Sequence, residues 1–411
     1  MSDRFQAPRG TADALPADAA ARARVEQVAR ELLERAGYRR IETPVFEDTE
    51  LFARGVGAST DIVRKEMFTF EDQGGRSITL RPEATASIAR AYLEHGMQTL
   101  PQPVKLWWYG PLFRHERPQA GRFRQFTQLD AEAIGSDSPL VDAELILLLD
   151  ELLRTLEVPE LTLRLGSLGS PEARAEYRAE LIAYLREHEN ELARDVRERI
   201  DENPLRAFDS KDEATEAVMA EAPTIVDRLQ GEDAEHFAAV RRLLDQAGLA
   251  YEIDGTLVRG LDYYTRTVFE FHCGRLGAQS QVAGGGRYDR LIELLGGPPT
   301  PANGWAAGVE RILLAIDTQE DERPHDVFVA AADAQRERAL ALVTELRRAG
   351  LRAELDLAGR SMKGQMRHAD RLGASHAVIL DGEGAAQLRD MRSGEQREVE
   401  VARVVEELSP R

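Results

Sequence analysis

The sequence predicts an α+β fold: an antiparallel sheet flanked by helices, interrupted by a helical insertion and followed by a small α/β domain. Three observations predict it. Between about 76 and 145, short strand patterns and turns alternate without a repeating βαβ rhythm. Residues 171–250 turn helical and acidic, almost free of β-branched runs. Beyond residue 326 the pattern becomes β-α-β-α-β. The expected divisions are 1–170, 171–250, 251–318 and 326–411, with 318–326 as a polar linker.

Residues 17–36 place Ala21, Val25, Val28, Leu32 and Ala36 at helical spacing, with Gly37 as the stop. "RRIETPVFEDTELF" reads as a strand ending at Pro44. "SITLRPE", "VKLWWYGPLFR" and "RFRQFTQLDAEAIG" follow as strands, then a helix over 140–156. Strand signals return at 251–271 and in "QSQVAGGGRYDRL"; the apolar run 305–317 reads as a helix. In the last domain "DVFVAA", "LRAELDL" and "SHAVIL" are expected as parallel strands.

With 411 residues and 43% hydrophobic content, the chain has ample length for a buried core. It has no apolar run approaching about 18 residues, which argues against a membrane span. A single Cys273 excludes an internal disulfide and a multi-cysteine zinc site. The eight histidines show no metal-ligand spacing, so no protein-ligated metal is expected. No signal architecture is visible, and the cytoplasm is the expected compartment. The net charge of −19 argues by itself against a nucleic-acid partner. The charge is uneven, however: residues 171–250 hold 11 basic and 20 acidic residues, a net −9. Local field decides phosphate docking, not the global sum.

Five stretches carry candidate chemistry. In 113–132, Arg114, Arg117, Arg122 and Arg124 are interleaved with Phe113, Phe123 and Phe126 around Pro118 and Gly121. Arginines on a hairpin loop suit a polyphosphate, and a returning phenylalanine suits a base. Gln128, Asp130 and Glu132 alternate and so share one strand face. A solvated hairpin explains these residues about as well. In "LRPEATASIAR", Glu83 suits a ligand ammonium group; helix capping by Glu83 or Thr85 is the plainer alternative. "AGGGRYDRL" permits close backbone approach or an ordinary turn. In "GWAAGVERI", Glu310 and Arg311 suit a site or a surface ion pair. Arg360, Lys363, Arg367 and Arg371 recur every three or four residues as a basic stripe, usually a solvated face but conspicuous in so acidic a chain.

The order of these stretches along one chain resembles the histidyl-tRNA synthetase family, among the class II aminoacyl-tRNA synthetases, over essentially the full length. "PRGTADALP" is similar to the family's N-terminal signature, and the segment through Pro44 to motif 1, which forms the family's dimer interface. "FRHERPQAGRFRQF" resembles motif 2 and "GWAAGVERI" motif 3. "VRGLDYYTRTVFEF" and "VAGGGRYD" resemble the two histidine signatures, and the last 85 or so residues the anticodon-binding domain.

The resemblance implies a homodimeric enzyme that joins L-histidine to tRNA(His) through a histidyl-adenylate, with ATP and its Mg2+ as substrate. It implies Arg114 and Arg259 as the cations that stabilise the α-phosphate. Glu116 and Phe126 would hold adenine, and Arg311 the distal phosphates. Glu83, Thr85 and Gln128 would hold the histidine ammonium, and Glu132 and Tyr264 the imidazole, with Tyr263 beside them. Arg360, Lys363, Arg367 and Arg371 would meet tRNA. Ala84 stands where the family usually has glycine, which puts fine pocket geometry in question. Asp262 has no assigned role. The rival is a non-catalytic, histidine-sensing regulatory subunit of ATP phosphoribosyltransferase. Such paralogues generally lack the anticodon domain and parts of the histidine signatures, all present here.

Overall fold

The computed structural model describes residues 5–57, 60–201, 204–257, 263–316 and 325–409. The chain divides into two compact units, Met1–Gln319 and Glu320–Arg411. Each has its own sheet and its own apolar core.

The first unit is built on an eight-stranded sheet. Its order is Arg39–Arg40, Val104–Phe113, Gln125–Ile134, Ala302–Gly308, Gln281–Arg287, Thr265–Cys273, Leu161–Ser167 and Glu252–Ile253. The six central strands run antiparallel, as the sequence predicts. Only the two-residue strands at the edges pair in parallel.

One sheet face is covered by helices Pro16–Arg35, Pro139–Thr155 and Gly231–Gln246. Their Leu32, Leu33, Leu145, Leu149, Phe237 and Val240 pack against Trp107, Leu129, Ala131 and Phe269. Pro at the first turn starts Pro16–Arg35, and Gly37 at φ +86 closes it, a conformation costly for residues with a Cβ. Ser138 caps Pro139–Thr155 through the Leu140 amide at 3.3 Å.

The helical segment 171–250 divides in its packing. Tyr177, Leu181, Leu185, Ile200, Val218 and Ile225 form a core of their own. Helix Gly231–Gln246 instead inserts Phe237, Val240 and Leu244 into the core beneath the main sheet.

Two local expectations differ from the structure. Residues 302–308 are a strand, and the helix is confined to Val309–Ala315. A strand buried on both faces reads as a continuous apolar run, which periodicity cannot separate from a buried helix. The segment around Pro44 is not one strand. Arg39–Arg40 edges the main sheet, Phe46–Asp48 joins a three-stranded sheet with Phe68–Glu71 and Ser77–Leu80, and Thr49–Val56 is helical.

In the second unit, Val327–Ala331 pairs in parallel with Ala353–Leu355 and His376–Leu380, as expected. Ala386–Asp390 and Gln396–Val399 then extend the sheet antiparallel, so it is mixed. Helix Arg336–Arg348 closes one face with Ala339, Leu342, Val343 and Leu346.

Candidate active site

The open face of the eight-stranded sheet carries a cavity of about 390 Å³. Its floor is the strand Gln125–Ile134. Alternation sends Leu129, Ala131 and Ala133 into the core, whereas Gln128, Asp130 and Glu132 line the cavity. The turn before helix Thr85–Glu94 adds Glu83, Ala84 and Thr85; the hairpin adds Arg114, Glu116 and Phe126. Tyr263, Tyr264 and Arg311 complete the wall. The sequence-derived ligand residues therefore converge here, apart from Arg259. Arg259 and Asp262 lie outside the described residues.

The inner end is acidic and closed. Glu132 Oε1 accepts from Thr85 Oγ1 at 2.7 Å, and Oε2 accepts from the Tyr288 hydroxyl. Glu83 Oε1 accepts from the Ala86 amide at 2.9 Å, so it does cap the helix. Its other oxygen is buried without a hydrogen-bond partner among the described residues. Burial pushes the Glu83 carboxyl up to about 7 and the Glu132 carboxyl up to about 8. A buried carboxylate oxygen with no partner is costly unless a ligand supplies a donor. Ala84 is fully buried at φ −106, a conformation that any residue with a Cβ adopts, and its methyl joins the apolar cluster around Trp108. The extra methyl is absorbed by packing.

Gly304 stands directly opposite Glu132 in the strand register, and a Cβ there would collide with the Glu132 carboxylate. Gly285 is likewise required: its Cβ would lie 2.7 Å from the Trp305 Cα. The glycines of "AGGGRYD" and "NGW" thus let two strands pass beneath a buried carboxylate.

The "GGGRYD" stretch also brings Tyr288 to the site. Its neighbour Arg287 is fully buried, paired with Asp142 and Asp289 and donating to the Ser136 carbonyl at 2.6 Å. His236 reaches the second oxygen of Asp142 at 3.2 Å. Removing one partner from such a buried network costs about 3–5 kcal/mol. The network anchors the turn from which Tyr288 aims at Glu132.

The outer end is basic and aromatic. The Arg114 guanidinium lies 5.3 Å from the Phe126 ring centre, and its Nε donates to the Pro82 carbonyl at 2.8 Å. Glu116 sits between Arg122 at 3.4 Å and Arg114 at 3.9 Å. Arg311 donates to the Gln281 carbonyl at 2.5 Å. Burial, with Arg122 and Arg114 nearby, pulls Arg311 below its ordinary value. That crowding of cations suits a polyanion.

Glu310 takes a structural part rather than pairing with Arg311. Both its oxygens accept from the Thr127 amide, at 2.9 and 3.0 Å, and Arg22 bonds it at 2.9 Å. It ties the motif-3 helix to the cavity floor. Tyr288 and Gly304 are not among the sequence-derived ligand residues; their signals were the stretches "AGGGRYDRL" and "GWAAGVERI" that contain them.

A sequence model described as histidyl-tRNA synthetase matches residues 10–312, and one described as anticodon binding domain matches residues 325–411. The chain belongs to the histidyl-tRNA synthetase family. A curated histidine–tRNA ligase of Rubrobacter xylanophilus is 51% identical over 409 residues, covering 96% of each chain. Among solved structures, apo S. aureus histidyl-tRNA synthetase superposes with a TM-score of 0.83 at 35% identity, over 99% of this chain and 100% of that one. A Bacillus halodurans structure described as an ATP phosphoribosyltransferase regulatory subunit/histidyl-tRNA synthetase reaches 0.69 at 23% identity, over 92% and 99%. That second likeness carries the fold alone. The class II synthetase fold, with a separate anticodon-binding domain, is thus the fold of this family member.

In that anticodon-binding domain the basic stripe resolves unevenly. Ser361 caps helix Met362–Arg371, whose Gln365 and Ala369 face inward. Lys363, Arg367 and Arg371 are exposed at four-residue steps and make no ion pair among the described residues. Arg360 precedes the helix and is tied to Asp356 at 2.6 Å, so its charge is largely neutralised. Among the described residues, no group of three His, Cys, Asp or Glu side chains is arranged to hold a metal ion. No helix there is long and apolar enough to cross a membrane.

Proposed function

We infer that the chain is a histidine–tRNA ligase, which joins L-histidine to tRNA(His) through a histidyl-adenylate made from ATP. One observation carries the reading. A single cavity joins a closed acidic end, where one Glu83 oxygen has no partner among the described residues, to an open end of arginines and a phenylalanine. The first suits an amino acid with a cationic head; the second suits a nucleoside triphosphate.

Glu83, Thr85 and Gln128 receive the histidine ammonium, and Ala84 packs behind them. Glu132 and Tyr264 bond the imidazole, with Tyr263 against the ring. A closed polar pocket of this kind rejects isosteres, because a wrong ligand leaves buried groups unpaired. The carboxylate attacks the α-phosphorus of ATP and expels pyrophosphate. Negative charge grows on the α-phosphate oxygens, and the fixed Arg114 cation stabilises it without reorganising. Arg259 is the second cation by family resemblance. Phe126 and Glu116 hold adenine, Arg311 holds the distal phosphates, and Mg2+ enters with the nucleotide. Lys363, Arg367 and Arg371 face the tRNA, with Arg360 as a weaker contributor.

The enzyme works as a homodimer. Val45, Phe46 and Phe70, 41%, 53% and 47% exposed, form the apolar surface near motif 1 that a partner would cover. It acts in the cytoplasm, where its substrates are found. The regulatory-subunit alternative is weaker, since the chain keeps Arg114, Arg311 and the anticodon-binding domain. Amino-acid-dependent pyrophosphate exchange tests the reading across all twenty amino acids. Stimulation by histidine alone is expected; stimulation by another amino acid, or by none, overturns it.

A further inference from the structure

Three carboxyl groups line the inner end of the cavity: Glu83, Asp130 and Glu132. Two are engaged. Glu132 accepts from Thr85 and Tyr288, and Glu83 accepts from the Ala86 amide. Asp130 is 1% exposed, and neither of its oxygens has a hydrogen-bond partner among the described residues.

Among the described residues, the groups facing Asp130 are few. Glu132 comes from its own strand, Glu83 and Arg81 from the turn before helix Thr85–Glu94, and Arg114 from the hairpin. Its neighbours across the strands are Trp108 and Ala306, which bring no charge. Both cations are committed elsewhere. Arg81 donates to the carbonyls of Thr43, Pro44 and Pro111 and lies 4.6 Å from the Trp108 ring centre. Arg114 donates to Pro82 and faces Phe126.

Among the described residues, Asp130 is thus the one of the three carboxyl groups that no donor meets, and a buried carboxyl without a donor keeps its proton. Burial, then Glu132 and Glu83, push the Asp130 carboxyl well above the usual carboxylate range. An arriving α-ammonium group adds a cation at this inner end, while the ligand's own carboxylate lies toward Arg114, where it meets the α-phosphorus.

We propose that Asp130 carries a proton in the ligand-free pocket and gives it to solvent when the α-ammonium group of the amino acid arrives beside Glu83. Asp130 then faces the ligand's charge as a carboxylate, and amino-acid binding is coupled to proton release at this residue. The inference rests on the reading of this cavity as the amino-acid site.

The test is titration calorimetry of L-histidine binding in two buffers of different protonation enthalpy. Wild type is expected to release protons. Asp130→Asn and Asp130→Ser should release about one proton fewer, and the dependence of their Kd on pH should be shallower by about tenfold per pH unit, the linkage for one proton. A wild-type proton count in either folded variant overturns the proposal. A ligand without the amine, 3-(imidazol-4-yl)propionate, gives a readout on wild type alone. It should release about one proton fewer than histidine, and equal release overturns the proposal even if neither variant folds. Glu83→Gln separates the two levels: histidine binding unchanged in that variant would overturn the pocket reading itself.

Discussion

The Tyr288 hydroxyl donates to Glu132 at the closed end of the cavity, joining the second histidine signature to the motif-2 strand. The contact holds one carboxylate oxygen still while Thr85 holds the other. Tyr288→Phe keeps the ring but leaves Glu132 Oε2 unpaired. An unsatisfied buried acceptor costs about 1–3 kcal/mol. The KM for histidine in pyrophosphate exchange should rise about tenfold to a hundredfold, with the KM for ATP little changed. Equal rises in both would show that Tyr288 supports the fold of the cavity rather than Glu132.

Gly304→Ala probes the same carboxylate from below. The new Cβ would stand where Glu132 now lies, so the side chain must move. A displacement of about 1 Å at a site can cost about a hundredfold in rate. Histidine activation should fall by about that much, while circular dichroism reports a folded protein. Wild-type activation would mean that Glu132 does not read the ligand.

The two raised carboxyls set a pH dependence. Glu83 moves from 4.5 to about 7, and Glu132 from 4.5 to about 8, so the folded, ligand-free protein binds their protons more tightly than the unfolded chain. Stability therefore falls as pH rises from about 4.5 through the folded values, and the full cost is present above about 8. For Glu83 that cost is about 3 kcal/mol. Glu83→Gln should melt higher than wild type at about pH 8.5 and alongside it at about pH 4.5, while losing adenylate formation. A difference in melting temperature that does not change with pH would refute the assignment.

Lys363→Glu with Arg367→Glu reverses two exposed charges on helix Met362–Arg371. Transfer of histidine to tRNA should weaken about tenfold or more and become less sensitive to salt. Histidine-dependent pyrophosphate exchange should stay at the wild-type rate. Equal loss of both activities would contradict a separate tRNA-facing role.

Much of the site was legible because its geometry is local. Gln128, Asp130 and Glu132 share a face by strand alternation alone, and Glu83 and Thr85 sit at a helix start that any Pro-acid-Thr spacing suggests. The 302–308 strand was not legible. Its residues are small or apolar apart from the buried Asn303, and only pairing with Gln125–Ile134 and Gln281–Arg287 makes it a strand. The antiparallel strands 386–390 and 396–399 were hidden differently: their polar, half-exposed residues carry little periodic signal.

By itself the sequence determined the elements whose pattern is short-ranged, the candidate ligand residues, and the resemblance that names the family. The tertiary structure decided which groups meet across long stretches of chain. It put Tyr288 on Glu132, Arg287 between Asp142 and Asp289, and Glu310 against Arg22 and Thr127. It also left Asp130 buried without a hydrogen-bond partner among the described residues. Those outcomes depend on sheet order and register, and on the low dielectric of a closed cavity, which spacing along a chain does not encode.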